Sequence, residues 1–206
     1  MAALGHCGED CAHKHEDPEK GVLYSLYTKI IIDNLECLNE SVEGAGKTVF
    51  KPWIERLDTE RFVESDVDEE LLFNIPFSGH IKLKGIIVIG DDSESHPSKM
   101  RLFKNRDALT FDDVAIEADQ EFDLQKDIHG NVEYFTKIAK FQNVHHLGIH
   151  FPSNFGDEKT RIYYIGLKGE FAVAPKQEVV ICNYELRPNI SDHKNPLSDD
   201  NNHPLM

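Results

Sequence analysis

The feature that most constrains this chain is a succession of short β-prone runs with turn chemistry between them and no long helical period. Ile81-Lys82-Leu83-Lys84 alternates aliphatic and cationic side chains and flows into Gly85-Ile86-Ile87-Val88-Ile89-Gly90, which ends at the turn residues DDSES. Period-two alternation turns one face of a strand toward a core, and an unbroken aliphatic run means cover on both faces. Further runs follow at 100–104 (MRLFK), 121–124 (EFDL), 132–138, 144–151 (VHHLGIHF), 161–167 (RIYYIGL) and 178–186 (EVVICNYEL). The clusters DIHGN at 127–131 and NFGD at 154–157 lie between runs, and Asn, Asp and Gly accept the backbone angles of tight turns. Strands at this spacing, without intervening helices, predict an all-β sandwich. Helix is expected only within 23–39, part of which reads equally as strand, and in a short turn near 107–113.

Charge narrows the function classes. The 206 residues hold 22 Lys and Arg against 37 Asp and Glu, a formal net charge of −15, which repels phosphate backbones and anionic lipid surfaces. No direct nucleic-acid partner and no membrane partner are therefore expected. The aliphatic run from Ile86 to Ile89 is far too short to span a bilayer. The first residues, MAALGHCGEDCAHKHEDPEK, lack the basic start and apolar stretch of a secretory signal. Four cysteines in a chain of this length make no disulfide framework. A soluble, monomeric, cytoplasmic and nuclear protein with reduced thiols is expected. Residues 1–20 are polar and rich in His, and 188–206 are nearly devoid of apolar side chains. Both read as disordered arms around one folded domain at 21–187.

Several motifs invite chemistry. Gly44-Ala45-Gly46-Lys47-Thr48 resembles part of a phosphate-binding loop, yet Ser41 stands where that pattern needs its first glycine, and Pro52 would interrupt the following helix. Nucleotide binding is rejected. Cys7, Cys11 and His13 supply thiolate and imidazole to a short arm and form a candidate weak metal site, although their spacing matches no closed zinc module. His146 and His150 share one face of a predicted strand and His145 the other; packing outweighs ligation there. Cys37 and Cys182 read as buried free thiols. The acidic stretch SDVDEE at 65–70 lacks the alternation of a calcium loop and reads as a charged turn before a buried strand. No order of Ser, His, Asp or Cys marks a nucleophile, so no cofactor and no catalysis are expected.

Taken together, several segments resemble the PITH domain family, the proteasome-interacting module, in its stand-alone branch. They are CLNES (37–41), FKPW (50–53), FVESDVDEELLFNIPF (62–77), KLKGIIVIG (82–90), SHPSKMRLFKN (95–105), FQNVHHLGIHFPSNFG (141–156) and RIYYIGLKGEF (161–171). The resemblance implies a jelly-roll β-sandwich of the galactose-binding-domain-like type. It also implies a non-catalytic adaptor on the 19S regulatory particle of the 26S proteasome, with an indirect part in promoting transcription during megakaryocyte-type differentiation. The expected docking surface combines Asp66, Asp68 and Glu69 with Pro152 and Asn154. His203, near the end of the acidic tail, is a candidate ligand to an open zinc position on a partner, such as the proteasome's zinc-dependent deubiquitinase. The alternative is a small-ligand or carbohydrate-binding jelly roll with a concave site among the loops.

Overall fold

A computed structural model describes residues 18–172, with side chains from residue 21 onward. The run at 178–186, Cys182, His203, Cys7, Cys11 and His13 lie outside the described residues. The described strands are β1 (Glu36–Leu38), β2 (Val63–Glu64), β3 (Leu71–Gly90), β4 (Lys99–Lys104), β5 (Gln120–Asp123), β6 (Tyr134–Phe135), β7 (Val144–Phe151) and β8 (Arg161–Ala172). Every pairing among them is antiparallel.

The organising element is β3, which at 20 residues is several times longer than an ordinary strand of about 5–6. Its first part, from Leu71, pairs with β7 on one edge and β1 on the other; its second, from His80, pairs with β8 and β6. The hydrogen-bonded path is continuous through β3, which thereby joins one sheet of the sandwich, β1-β3-β7-β4-β5, to the other, β2-β8-β3-β6. The sequence predicts a strand from residue 81 and only an apolar strand start at 71–73. Pro76 and Gly79 interrupt the alternation between them, and the register slips there, so the strand bends from one sheet to the other without ending. At Gly79 any Cβ would lie 2.9 Å from the Ala172 carbonyl.

Between the sheets Phe73, Ile75, Leu83, Ile86, Leu147 and Ile165 are almost wholly buried. Phe50 and Phe151 meet Phe73 edge-on at 5.9 and 6.0 Å. The segment predicted as helix or strand over 23–39 is instead a set of pinned turns, 3-10 at Ser25–Lys29 and Ile32–Asn34, followed by β1. Leu26, Ile30 and Leu35 each enter the core, and the Ile31 amide donates to the Pro76 carbonyl at 2.9 Å. Such tertiary anchoring overrides the segment's weak helical preference.

Both outer faces carry a cover. Over the first sheet lies the loop 105–118, whose Leu109 and Val114 pack on Leu72 and Phe103. Gly148 makes room for it: a Cβ there would sit 2.3 Å from Leu109 Cδ1. Over the second sheet Tyr24 and Trp53 pack on Ile87, Ile89 and Tyr164, with Tyr24 and Trp53 stacked at 4.9 Å. The expected turn near 107–113 is a short 3-10 turn at Asp113–Ala115.

The glycine-rich segment forms a single helical turn at Ala45–Thr48. Its amides are already occupied: the Glu40 carboxylate accepts from Gly44 N–H at 2.5 Å and Gly46 N–H at 2.6 Å. The protein's own carboxylate thus takes the place a phosphate would need. Gly46 also lies against Cys37, a half-buried free thiol whose pKa burial pushes well up.

Candidate functional site

At one end of the sandwich four loops, 39–44, 64–70, 91–98 and 152–160, are knitted together by short polar side chains. Asn39 sits in the left-handed region at φ 66°, which an Asn tolerates. Its carboxamide accepts from Val67 N–H (3.1 Å) and donates to Asp68 Oδ1 and the Glu70 carbonyl (2.7 Å each). Buried Ser65 and Thr160 join the second loop to the fourth. Ser65 N–H donates to the Thr160 carbonyl (3.0 Å), Thr160 N–H to Ser65 Oγ (2.9 Å), and Thr160 Oγ1 to the Glu69 carbonyl (2.6 Å).

His96 fixes the third loop. Its Nε2 accepts from Asp127 N–H at 3.1 Å, which places the ring proton on Nδ1, 2.8 Å from the Pro97 carbonyl. The ring is fully buried, and burial lowers its pKa, so it is neutral. Gly90 leaves room for it, a Cβ there lying 2.6 Å from the ring. The buried Asp127 carboxylate in turn accepts from the amides of His129, Gly130 and Val132.

The structure brings the sequence-expected docking residues to this end and divides their roles. Asn154 is spent inside its own turn: it accepts from Gly156 and Asp157 N–H and donates to the Asp157 and Lys159 carbonyls. Asp68 is committed to Asn39 and to Glu70 N–H. Pro152 is half-buried and lines a cleft with Lys99, Arg101 and Glu121. The carboxylates of Asp66 and Glu69 enter no hydrogen bond or ion pair among the described residues. Between them Val67 is 84% exposed. Below, Glu64 pairs with Arg161, whose Nε lies 2.8 Å away, and with Lys159 at 3.9 Å. Position-by-position reading misses that division, because an acidic residue that caps a turn looks like one that faces solvent.

His146 and His150 of β7 are packing residues, while His145 is exposed. His146 and His150 face outward from the first sheet beneath the 105–118 loop, on either side of Gly148 and the Leu109 side chain it receives. His150 is 3% exposed, and neither ring nitrogen has a hydrogen-bond partner among the described residues; Nε2 lies 3.5 Å from Glu70 Oε2. Burial, with Arg101 nearby, lowers its pKa to about 4, so the imidazole is neutral at pH 7 and the approach of Glu70 is no ion pair. Among the described residues no three His, Cys, Asp or Glu side chains converge as a metal set. Trp53, the sole tryptophan, is buried under Tyr24 and the Arg56 guanidinium and offers no open stacking platform.

An antiparallel sandwich whose end loops are locked by buried polar side chains is a scaffold for displaying loops, with the sequence motifs serving as its locks. Asn39 and Glu40 of CLNES, Lys51 of FKPW, Ser65 of FVES, His96 of SHPS and Asn154 of FPSN all hold backbone. The chain belongs to the PITH domain family, whose sequence profile matches residues 16–188. It is 57% identical over 195 residues to PITH domain-containing protein GA19395 of Drosophila pseudoobscura pseudoobscura, covering 95% of this chain and 92% of that one. It is 54% identical over 192 residues to PITH domain-containing protein 1 of Homo sapiens, covering 92% and 91%. Among solved structures, the C-terminal domain of a chitobiase from Bacteroides fragilis superposes with a TM-score of 0.46 at 16% identity, covering 70% of this chain and 94% of that one. The family 32 carbohydrate-binding module of Clostridium perfringens NanJ, in complex with galactose, gives 0.46 at 10% identity, covering 68% and 97%.

Proposed function

We propose that this chain is a non-catalytic adaptor that docks on the 19S regulatory particle of the proteasome through its knitted loop end. Membership of the PITH family supports the class. The observation that carries the surface is the pair of carboxylates of exposed Asp66 and half-buried Glu69, neither with an ion-pair or hydrogen-bond partner among the described residues, on a loop whose backbone is held by Asn39 and Thr160. A rigid loop that presents uncompensated charge loses little conformational freedom on binding and selects its partner electrostatically. The reading extends to His203 as a ligand to a partner's open zinc position, and to action in cytoplasm and nucleus with an indirect effect on transcription.

The test is co-purification of intact proteasomes with the full chain at moderate salt. Asp66→Lys combined with Glu69→Lys is expected to weaken recovery several-fold, because opposite charge replaces each free carboxylate. Asp68 is left unchanged, since its replacement would also undo the Asn39 turn. Undiminished recovery removes this surface. Separately, loss of 201–206 is expected to reduce proteasome affinity; an unchanged affinity removes the role of His203.

A further inference from the structure

Beside the loop end lies a surface that the sequence motifs do not announce. Residues 56–57, 59, 89–92 and 128–129 enclose, with Tyr163, an open groove of about 330 Å³. Ile89 is buried in its floor, while Leu57 is 44% and Ile128 39% exposed on its sides. Each of these aliphatic side chains sits on a turn pinned by a buried charge. Lys51 Nζ donates to the carbonyls of Asp58 (2.6 Å) and Arg61 (3.3 Å), fixing the turn that carries Leu57. Asp127 accepts from three amides around Ile128. Burying an ammonium and a carboxylate is costly unless each is well bonded, and here the result is two apolar side chains held out toward solvent.

The groove continues into a polar cleft. Asp91 walls both, and the cleft of about 230 Å³ adds Glu64, Asp157, Glu158, Lys159 and Arg161. Its two cations both lie against Glu64, whereas the carboxylates of Asp92, Asp157 and Glu158 enter no ion pair among the described residues. Arg56, on the groove wall, stacks over Trp53 at 4.3 Å and donates to the Trp53 and His129 carbonyls.

We propose that this two-part groove binds an extended segment of a partner protein that carries one large aliphatic or aromatic side chain followed by lysines or arginines. The apolar part excludes a purely ionic ligand, and the uncompensated carboxylates, on a chain of net charge −15, exclude an anionic one. This names the partner chemistry on the adaptor reading and rests on it. Exposed apolar side chains on rigid turns supply the anchor, and the acidic rim supplies selectivity and rate of encounter.

The sole tryptophan lies behind Arg56, so its emission reports occupancy of the groove. The full chain is titrated with acetylated, amidated hexapeptides carrying one leucine or phenylalanine ahead of three lysines or arginines. Counterparts replace the cations by glutamates or the apolar residue by alanine. The cationic apolar peptides are expected to give a saturable change that weakens with salt, and the counterparts to bind at least ~fivefold more weakly on the same charge and anchor argument. Leu57→Ser with Ile128→Ser, and separately Asp92→Asn with Glu158→Gln, are expected to weaken binding by a similar factor without altering the melting temperature. Absence of a saturable change, or indifference to both variant pairs, overturns the proposal. Asp66→Lys with Glu69→Lys lies outside the groove and leaves peptide binding intact, so failure of the adaptor reading, read by proteasome recovery, is distinguished from failure of the groove.

Discussion

The two outer faces of the sandwich are covered by opposite means. Over the first sheet, the 105–118 loop is held by polar clips. The Asn74 carboxamide donates to the Leu109 carbonyl (3.0 Å) and accepts from its N–H (3.1 Å), and Arg101 donates to the carbonyls of Val114 (2.6 Å) and Ile116 (2.8 Å). Over the second sheet, Tyr24 and Trp53 are held by ring contacts on Ile87, Ile89 and Tyr164. The strands beneath explain the contrast. β3 presents Leu72 and Asn74 outward in its first part, beside His146 and His150 of β7, but Ile87 and Ile89 in its second. On the first face the cover supplies hydrogen bonds to Asn74 and Arg101 but buries the His150 ring without them, whereas the apolar second face needs only area. The first cover is therefore sensitive to protons and to single polar atoms, and the second to volume.

The largest test of this contrast is Trp53→Ala. Removing a buried indole is expected to cost about 3–5 kcal/mol, measured by denaturant unfolding, and to raise hydrogen exchange in the residues around Ile87 and Ile89. Exchange in the 105–118 loop should stay as it is at matched stability. If both covers loosen together, they form one cooperative layer and the contrast fails.

Acid tests the other cover. A histidine whose folded pKa lies below its unfolded value binds fewer protons in the native state, so stability is full above the unfolded pKa and falls as pH drops toward the folded one. For His150 the window runs from the ordinary 6.5 down to about 4, a difference worth about 3 kcal/mol. Burial lowers His146 in the same direction. Glu70, raised by burial and by Asp68 and Glu69, works the other way, since its protonated form is favoured in the native state, and offsets part of the loss. His150→Leu removes two unpartnered ring nitrogens, so stability at pH 7 is expected to match or exceed that of the unaltered chain. Its decline between pH 6.5 and 4 should be shallower, the remainder coming from His146 and from buried His96, whose pKa values burial lowers in the same direction. An equally steep decline would assign the acid sensitivity to another group.

Sequence and structure agree where one physical effect dominates a residue. Alternation with aliphatic runs made the strands from 81 to 167 legible, and the face assignment of His146 and His150 followed from period two alone. The first part of β3 was harder to read, because Pro76 and Gly79 break the alternation where the strand changes sheets. β6, expected over 132–138, shrinks to Tyr134–Phe135, since Thr136 turns inward and donates to the Leu83 carbonyl at 2.6 Å. At the candidate site, the stretch 64–70 and the loop 152–157 could be placed on the surface from their turn residues. Which acids are free could not, because Asp68 is claimed by Asn39, 29 positions away. The groove was illegible for the same reason: Leu57, Ile128 and Tyr163 meet only through the fold, and Lys51 reads as a surface lysine until its carbonyl partners are known.

A finer cut at the polar cover is Asn74→Ala. The substitution leaves the Leu109 N–H and carbonyl without partners beneath the loop, and an unsatisfied buried backbone group costs ~1–3 kcal/mol. A net loss of about 2 kcal/mol is expected, with faster hydrogen exchange confined to residues 105–118. The Trp53 emission maximum should not move, because no part of the second cover touches Asn74. A shift of that emission would mean that β3 transmits strain from one sheet to the other through its bend at Pro76 and Gly79. The two faces would then be coupled by the strand they share, and the opposite chemistry of their covers would be a difference in composition without a difference in stability.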